Sequence, residues 1–271
     1  MSNIQLATST QNAWALDRGL HFGDGHFTTA RVMGGEIELL ADHLQRLKRG
    51  CERLGIGFVD WQPLVLAMNQ QADALGEGVL KVVVTRGSGG RGYDPAGAKE
   101  PQAIISTHPS PAHYEVWRAQ GIGVGISAVT LGHQPLLAGL KHLNRLEQVL
   151  IKQHLSTTTF DDVLVCDQHN KVIEASAANV LVCDSNGVWK TPLLSECGVE
   201  GVMRNHLIAL AAANGICIEQ QPLSLDSLSN AKALFLTNCL MIAVPVVQLH
   251  AGAKVFELDS LSVAVPWRSN G

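Results

Sequence analysis

The sequence predicts an α/β (α+β) protein with two domains, and three observations support this prediction. The chain has 271 residues, which exceeds the common domain size of about 100–150 residues. Patterns typical of helices and of strands alternate along the whole chain. The segment HPSPAHYE, with its prolines, interrupts these patterns near the middle. We therefore predict a smaller N-terminal α/β domain over residues 1–112 and a larger C-terminal domain over residues 113–271.

The N-terminal half shows two helical patterns followed by two strand patterns. Residues 42–54, DHLQRLKRGCERL, place Leu and Cys side chains at helical spacing behind Asp42, a candidate helix cap. A second helical stretch follows near 61–75. The runs 79–86 (VLKVVVTR) and 102–108 (QAIISTH) are β-rich and predict a hairpin. The Gly- and Pro-rich segment between them predicts a long loop of the kind that carries binding residues.

The C-terminal half again mixes strands and helices. Residues 137–155 contain Leu143, Leu146 and Leu150 at helical spacing, which predicts a helix that begins near Lys141 and has one apolar face. The other predicted elements are a strand over 121–129, short strands within 163–189, a helix from about 202 to 213, and strands near 233–237 and 244–249. Mixed elements in both halves favour two lobes with a cleft between them.

The composition excludes several classes of partner. The chain has 20 Lys and Arg against 24 Asp and Glu, a formal net charge of −4, which provides no basic surface for nucleic acid or for an anionic membrane. No run reaches the roughly 18 apolar residues of a membrane span, and the first residues lack a signal-peptide pattern. We therefore expect a cytoplasmic protein that acts on a small molecule. Charged residues make up only 16% of the chain, which favours a homodimer.

Cysteine and histidine spacing gives no sign of a metal site. The six cysteines form no C-x-x-C pair, and the eleven histidines show no H-E-x-x-H spacing. A G-x-S-x-G nucleophile motif is also absent from the sequence. We therefore expect no metal, and we interpret the cysteines as reduced and mostly buried thiols.

Three positions have residue types that suit nucleophilic or anion-binding chemistry. Lys141, at a helix start, would have its pKa lowered by the helix dipole and by burial, as a Schiff-base lysine requires, although a surface lysine is the alternative. Glu174 lies among apolar residues in KVIEASAANVLV. It could face a protonated pyridine nitrogen, or it could be an ordinary edge-strand glutamate. The first amides of the predicted helix near Val202 and Met203 could bind a phosphate.

The Gly-rich segment after the first predicted strand carries Arg91 and directly follows Arg86, the last residue of that strand. Its run GSGGRG matches the spacing of a dinucleotide-binding loop, but Tyr93, Asp94 and Pro95 follow it instead of a helix. The guanidinium groups of Arg86 and Arg91 could instead bind substrate carboxylates, or the segment could be a solvated hairpin tip.

Five segments of the chain together resemble one enzyme family. They are DRGLHFGDGHFTTARV, HLQRLKRGCERLGI, KVVVTRGSGGRGY, GLKHLNRLEQVL and IEASAANVL. In this order they are similar to segments of the fold-type-IV pyridoxal-phosphate enzymes, which include branched-chain and D-amino-acid aminotransferases and 4-amino-4-deoxychorismate lyases. The resemblance covers nearly the whole chain and is greatest to the lyases. It implies a two-domain fold like that of D-amino-acid aminotransferase, with the cofactor pyridoxal 5'-phosphate in the interdomain cleft.

The resemblance also implies which residues bind the cofactor. Lys141 would bind the cofactor aldehyde covalently, and Glu174 would contact the pyridinium nitrogen. Arg46 of HLQRL would contact the phosphate. The other expected phosphate contacts are the amides of Val202 and Met203 and the side chain of Asn238. Asn144 would steady either the cofactor or the lysine.

A second set of residues is implied for catalysis and substrate binding. Thr29 of FTTARV matches a threonine proposed to assist proton transfer in the lyases, beside the catalytic lysine. Arg91 matches the carboxylate-binding arginine of the D-amino-acid aminotransferase loop, and Arg86 is the second candidate. The aminotransferases tend to have an acidic residue at the position of Thr28 and a small hydroxyl residue at that of Cys239. These two departures argue against transaminase specificity more than against cofactor binding.

The resemblance therefore implies a lyase that converts 4-amino-4-deoxychorismate into 4-aminobenzoate and pyruvate in folate synthesis. The alternative within the same fold is an aminotransferase for D- or branched-chain amino acids. A third hypothesis, from a different class, is a binding or scaffold protein that keeps the fold without its chemistry.

Overall fold

The computed structural model describes residues 16–89, 92–98 and 100–268. This part of the chain divides into two compact units. The first comprises the described residues up to Ser110 together with Lys141–Asn144, and the second comprises Pro111–Leu140 and the described residues from Arg145 onward. Nothing in the sequence indicated that the short segment around Lys141 would pack with the first unit. The domain boundary after residue 112 stays a prediction.

The first unit contains a four-stranded antiparallel sheet and three α-helices within the described residues. Its elements are α1 (Arg18–Phe22), β1 (Gly25–Met33), β2 (Glu36–Ile37), α2 (Leu40–Leu54), α3 (Trp61–Leu75), β3 (Gly78–Thr85) and β4 (Gln102–His108). The strand order is β2-β1-β3-β4. The predicted hairpin is confirmed, because β3 and β4 pair antiparallel along their whole length.

Alternating side chains build the core of this unit on one face of the sheet. Leu80 and Val82 of β3 are fully buried, and they belong to one apolar cluster with Leu47 of α2 and Met68 of α3. Because successive strand side chains point to opposite faces, Lys81 lies on the other face. That other face is half-buried and carries polar groups.

Helix α2 begins earlier than the sequence predicted. It starts at Leu40, and its N-cap Leu39 has a left-handed backbone (φ 54°) without a side-chain cap. The prediction that Asp42 caps the helix is therefore wrong. Asp42 lies in the first helical turn instead, where a negative charge interacts favourably with the helix dipole.

The second unit contains a ten-stranded sheet and four α-helices within the described residues. Its helices are α4 (His113–Gln120), α5 (Leu146–Leu155), α6 (Val202–Ala213) and α7 (Leu225–Leu228). Its strands are β5 (Ile122–Ile126), β6 (Asp162–Cys166), β7 (Lys171–Ala175), β8 (Asn179–Cys183), β9 (Trp189–Pro192), β10 (Ile218–Gln221), β11 (Leu223–Ser224), β12 (Ala233–Asn238), β13 (Ile242–Ala251) and β14 (Lys254–Glu257).

The order of strands in this sheet is β10-β9-β8-β12-β13-β5-β6-β7-β11, with β14 paired to β13. All residues of β6 and β8 are buried, as expected for strands covered on both faces. The predicted mixture of short strands with a helix starting at Val202 is confirmed. Glu174 of β7 is therefore a carboxylate inside a largely apolar sheet.

Helix α5 differs most from its prediction. It starts at Leu146, and the residues from Lys141 to Arg145 form no helix. The Lys141 carbonyl instead accepts from the Phe27 amide at 2.9 Å. Lys141 is therefore not at a helix start, and the expected effect of a helix dipole on its amine does not apply. Leu146 and Leu150 are 77% and 50% exposed, whereas Ile151 is buried. In the described part of the chain, no helix is long and apolar enough to cross a bilayer.

Candidate active site

The two faces of β1 differ in their chemistry. On the face toward α2, Thr28 Oγ1 lies 2.6 Å from His43 Nδ1, and His26 Nε2 lies 3.3 Å from Cys51 Sγ. Burial lowers the pKa of His26 to about 4. Burial, assisted by the nearby Arg46 charge, lowers the pKa of His43 to about 3. Both imidazoles are therefore neutral at pH 7, and this face is a polar but uncharged part of the core.

The opposite face of β1 carries the side-chain nitrogens of two lysines beside one aromatic ring. Lys141 Nζ lies 4.6 Å from the centroid of the Phe27 ring, and Lys81 Nζ lies 4.9 Å from the same centroid. Thr29 is on this face because it follows Phe27 by two residues, and its Cα pairs directly with that of Lys81. Of the predicted catalytic pair, Lys141 contacts this face of the small sheet at the Phe27 ring, and Thr29 lies on the same face.

Sequence reasoning missed Lys81. No carboxylate among the described residues lies within 4.0 Å of its Nζ. A sequence signal was present, because Lys81 is the one charged residue inside the apolar strand VLKVVVT. Its position opposite Thr29, however, depends on the register between β1 and β3. Lys81 thus adds a positive charge to the face that carries Thr29.

The segment that carries Lys141 is fixed to the start of β1. The Leu143 amide donates to the Gly25 carbonyl at 3.0 Å, and Asn144 Nδ2 donates to the Gly23 carbonyl at 3.2 Å. Gly23 has a left-handed backbone (φ 64°), and a Cβ there would overlap the Asn144 side chain. Asn144 therefore steadies the lysine-bearing segment rather than only a ligand.

Glu174 is held as a buried carboxylate in the second unit. It is 5% exposed; its Oε2 accepts from the Val199 amide at 2.9 Å, and its Oε1 accepts from Gln148 Nε2 at 3.3 Å. Burial lowers the pKa of the nearby Arg145, while the negative charges of Glu174 and Glu147 oppose that shift. Glu174 is thus orientated by neutral donors and lies near the Arg145 cation, and its contact with a pyridinium nitrogen stays a prediction.

The start of α6 lies three residues after Val199, whose amide donates to Glu174. Gly201 is the N-cap, and no side chain caps the amides of Val202 and Met203. A Cβ on Gly201 would overlap Asn179 Oδ1, while Asn179 Nδ2 donates to the Val199 carbonyl at 2.7 Å. The helix start is therefore a glycine-dependent turn with uncapped amide donors, which suits an anion.

The remaining predicted cofactor residues have different surroundings. Asn238 Oδ1 accepts from the Leu240 and Met241 amides, each at 2.9 Å, and its Nδ2 donates to the Ala177 carbonyl at 3.1 Å. The amide of Asn238 therefore organises the turn after β12. Arg46 lies on α2, three residues after His43.

The structure describes one of the two candidate arginines for the substrate carboxylate. Arg86 Nε donates to Asp24 Oδ2 at 2.8 Å, and its two terminal nitrogens donate to the Leu54 and Gly55 carbonyls, each at 2.6 Å. These bonds occupy all three guanidinium nitrogens at the end of α2. Arg91 lies outside the described residues.

The cysteines behave as the sequence indicated. All six are unpaired, and all except Cys217 are buried. Burial raises the pKa of Cys51 and Cys166 to about 11 and, with nearby acidic groups, that of Cys197 to about 12, so these groups are thiols at pH 7. The described residues contain no group of three or more His, Cys, Asp or Glu that could hold a metal ion.

Comparison with known families now identifies the fold. The family model of the class IV aminotransferases matches residues 25–249. The chain belongs to this family. The sequence-based resemblance to fold-type-IV enzymes is thereby confirmed, together with the mixed α/β fold.

Three relatives show where this chain stands within the family. It is 36% identical to the aminodeoxychorismate lyase of Vibrio harveyi over 236 residues, which cover 87% of this chain and 86% of the relative. It is 28% identical to the D-alanine aminotransferase of Bacillus licheniformis over 242 residues, covering 86% and 81%. The crystal structure of 4-amino-4-deoxychorismate lyase from Pseudomonas aeruginosa superposes with a TM-score of 0.85 at 38% identity, covering 96% of this chain and 92% of that one.

Proposed function

We propose that this chain is a pyridoxal-phosphate-dependent lyase that converts 4-amino-4-deoxychorismate into 4-aminobenzoate and pyruvate, a step of folate biosynthesis. The observation that carries the proposal is the face of β1 on which Lys141 and Lys81 contact one ring beside Thr29. This face offers an amine base, a hydroxyl and an extra cation for a dianionic substrate. The similarity to two lyases over most of the chain supports the same reaction.

The described residues fit the chemistry of the proposed cofactor. An amine (Lys141) suits its aldehyde, and a buried carboxylate (Glu174) suits its ring nitrogen. The uncapped amides at the start of α6 suit its phosphate, with Arg46 and Asn238 as further proposed contacts. When bound, pyridoxal phosphate supplies an electron sink that stabilises negative charge at the carbon next to the substrate nitrogen.

The side chains of this chain perform the proton transfers and the binding. Lys141 Nζ would remove the C4 proton of the substrate ring as general base. Thr29 Oγ1 or Lys141 Nζ would donate a proton to the departing enolpyruvyl fragment, so that the ring becomes aromatic and pyruvate is released. Glu174 would keep a proton on the cofactor nitrogen. Arg91, assisted by Lys81, would bind the substrate carboxylates and fix the C4–H bond.

The decisive experiment measures pyruvate release from enzymatically generated 4-amino-4-deoxychorismate by protein loaded with pyridoxal phosphate. We expect release by the wild type and a loss of at least about 1,000-fold in Lys141→Ala, because the base is removed. Lys152→Ala, which changes an exposed lysine on α5, is the matched control. Absence of release by cofactor-loaded wild-type protein would overturn the lyase proposal.

A class IV aminotransferase of D- or branched-chain amino acids is the second candidate. The similarity to a D-alanine aminotransferase over 86% of the chain favours it. Incubation of the loaded protein with single amino acids distinguishes the two, since a transaminase converts the cofactor to its amine form and releases a keto acid. Conversion by many amino acids would contradict a lyase-only function, and a protein that takes up no cofactor would favour the scaffold hypothesis.

We also propose that the chain forms a homodimer through the exposed apolar face of α5. Leu146, Val149 and Leu150 are 77%, 59% and 50% exposed, and their spacing places them on one side of the helix. Isolated monomers rarely expose such contiguous apolar surface. Light scattering of the wild type and of Leu146→Glu/Leu150→Glu tests this proposal. A monomeric wild type would contradict it.

The cytoplasm is the proposed location of this enzyme, and its proposed partner is the small-molecule substrate. A folate-pathway reaction on a small dianion uses a cofactor and a substrate that are dissolved in the cell interior. Fractionation of cells that produce the native chain, followed by detection with an antibody, tests the location. Recovery in a membrane or secreted fraction would contradict it.

A further inference from the structure

The side chain of Arg18, the first residue of α1, binds backbone carbonyls of the Gly-rich loop between β3 and β4. This side chain is buried, with 4% exposure. One terminal nitrogen donates to the carbonyls of Gly92 and Asp94 at 3.1 and 3.2 Å, and the other donates to the Tyr93 carbonyl at 3.0 Å. Three consecutive carbonyls of the loop therefore converge on one guanidinium group.

Further contacts orientate the same guanidinium. Arg18 Nε donates to Asp24 Oδ2 at 2.8 Å, and Arg18 Cζ lies 4.9 Å from the centroid of the Phe22 ring. The Phe22 ring also packs edge-on against Tyr93 of the loop at 5.4 Å. The backbone amide of Arg18 donates to the Gly87 carbonyl at 2.9 Å. Helix α1 thus binds the loop at its beginning and again near its midpoint.

Only an arginine provides this set of contacts. Gly92, Tyr93 and Asp94 belong to no strand, so a sheet ladder does not satisfy their carbonyls. A guanidinium presents several donors in a rigid planar fork, whereas an ammonium group directs its donors from a single point. A buried guanidinium in turn requires such partners to offset the loss of water. The loop backbone and the Arg18 side chain therefore depend on each other.

We propose that Arg18 is the positioning residue of this loop and that it thereby sets the affinity of the enzyme for its anionic substrate. The inference rests on the proposed function, in which a cation of this loop binds a substrate carboxylate. Arg18 is not a catalytic residue in this proposal, because its donors are used by the loop and by Asp24. It acts by holding Gly92–Asp94 in one backbone path.

The kinetic test compares the cofactor-loaded wild type with Arg18→Met and Arg18→Lys. Methionine keeps much of the side-chain volume and removes every donor, and lysine keeps the charge without the fork. We expect KM for the substrate to rise at least about tenfold in Arg18→Met, less in Arg18→Lys, while kcat stays within about threefold. The visible absorbance of the bound cofactor should not change. Arg118→Met, on α4 of the other unit, is the matched control.

A second measurement does not depend on the reaction. Limited digestion with trypsin reports how often the loop leaves its folded path, and we expect it to cut the loop of Arg18→Met at least about tenfold faster than that of the wild type. A loop that is cut at the wild-type rate overturns the positioning role, even if the chain proves not to be a lyase. Faster cleavage with an unchanged KM overturns the link to substrate affinity. A wild type that is inactive as a lyase refutes the proposed function alone.

Discussion

Asp24 is a single carboxylate shared by two arginines, and its replacement by asparagine should destabilise the first unit measurably. One oxygen, Oδ2, accepts from Arg18 Nε and from Arg86 Nε, each at 2.8 Å. The Asp24 and Arg86 side chains are 14% exposed, and that of Arg18 is 4% exposed, so solvent screens these bonds only weakly. The variant Asp24→Asn keeps the shape and one neutral acceptor but removes the charge.

The expected loss follows from these two bonds. Each hydrogen bond to a charged group contributes about 1.5–3 kcal/mol, and the neutral amide oxygen retains part of one of them. We therefore expect the free energy of unfolding to fall by about 2–4 kcal/mol. At about 2–4 °C per kcal/mol for chains of this size, the melting temperature should fall by about 5–15 °C.

The dependence on pH provides an independent check. Burial would raise the pKa of Asp24, but the hydrogen bonds and charges of Arg86 and Arg18 outweigh burial and hold the pKa below its usual value of 3.8. A lowered folded-state pKa means that the stabilisation is complete above the unfolded pKa and is lost as the pH falls through the folded one. The difference between wild type and Asp24→Asn should therefore be largest near neutral pH and vanish in strong acid.

Thermal and urea unfolding, followed by circular dichroism from pH 7 down to pH 3, measures both effects. Asp226→Asn, which changes an exposed carboxylate on α7, is the control and should stay within about 0.5 kcal/mol of the wild type. A loss in Asp24→Asn no larger than that of this control would refute the reasoning. So would a difference from the wild type that does not change with pH.

Three further predictions test the site itself. Gly201→Ala should lower the free energy of unfolding by about 1–3 kcal/mol, because the new Cβ overlaps Asn179 Oδ1. Urea unfolding measures this loss, and an unchanged midpoint would contradict the close approach of Gly201 to Asn179. Thr28→Val should lower the free energy of unfolding by about 1–3 kcal/mol, because it leaves the buried His43 Nδ1 without its hydrogen-bond partner. Calorimetry measures this loss, and an unchanged stability would show that the Thr28–His43 hydrogen bond contributes nothing. Glu174→Gln should weaken pyridoxal-phosphate binding by about 10–100-fold, since it removes the charge that favours a protonated ring nitrogen. Fluorescence titration measures the Kd, and an unchanged Kd would argue against a contact between Glu174 and that nitrogen.

The sequence predicted strands β3 and β4, but it predicted neither β1 nor the register between the strands. VLKVVVTR and QAIISTH read as strands because their β-branched residues are typical of β-sheets. The face shared by Thr29 and Lys81 depends on pairing between β1 and β3, which are separated along the chain by two helices. No local pattern specifies such pairing. Lys81 could therefore be noticed as an unusual residue, but its neighbour could not be identified.

Tertiary contacts also prevent the helix that the pattern around Lys141 predicted. Leu143, Leu146 and Leu150 have helical spacing, which predicted one continuous helix. In the structure, Leu143 instead donates a strand-like hydrogen bond to Gly25, and the helix begins at Leu146. Arg86 shows the same limit, because the helix end and the Asp24 carboxylate that occupy its nitrogens are distant in sequence.

The two consecutive threonines of β1 could be assigned to opposite faces of the sheet only from the structure. Thr28 and Thr29 are chemically identical, and either hydroxyl could in principle move a proton. Strand geometry sends one to each face: Thr28 is fully buried against the neutral His43, and Thr29 lies opposite Lys81. A hydroxyl held by a neutral imidazole inside the core contributes to stability, whereas a hydroxyl on the face that carries the two lysines can assist a reaction. A shift of the register by one residue would exchange these positions, so the packing of α2 on β1 also determines which threonine has the position of the proposed catalytic hydroxyl.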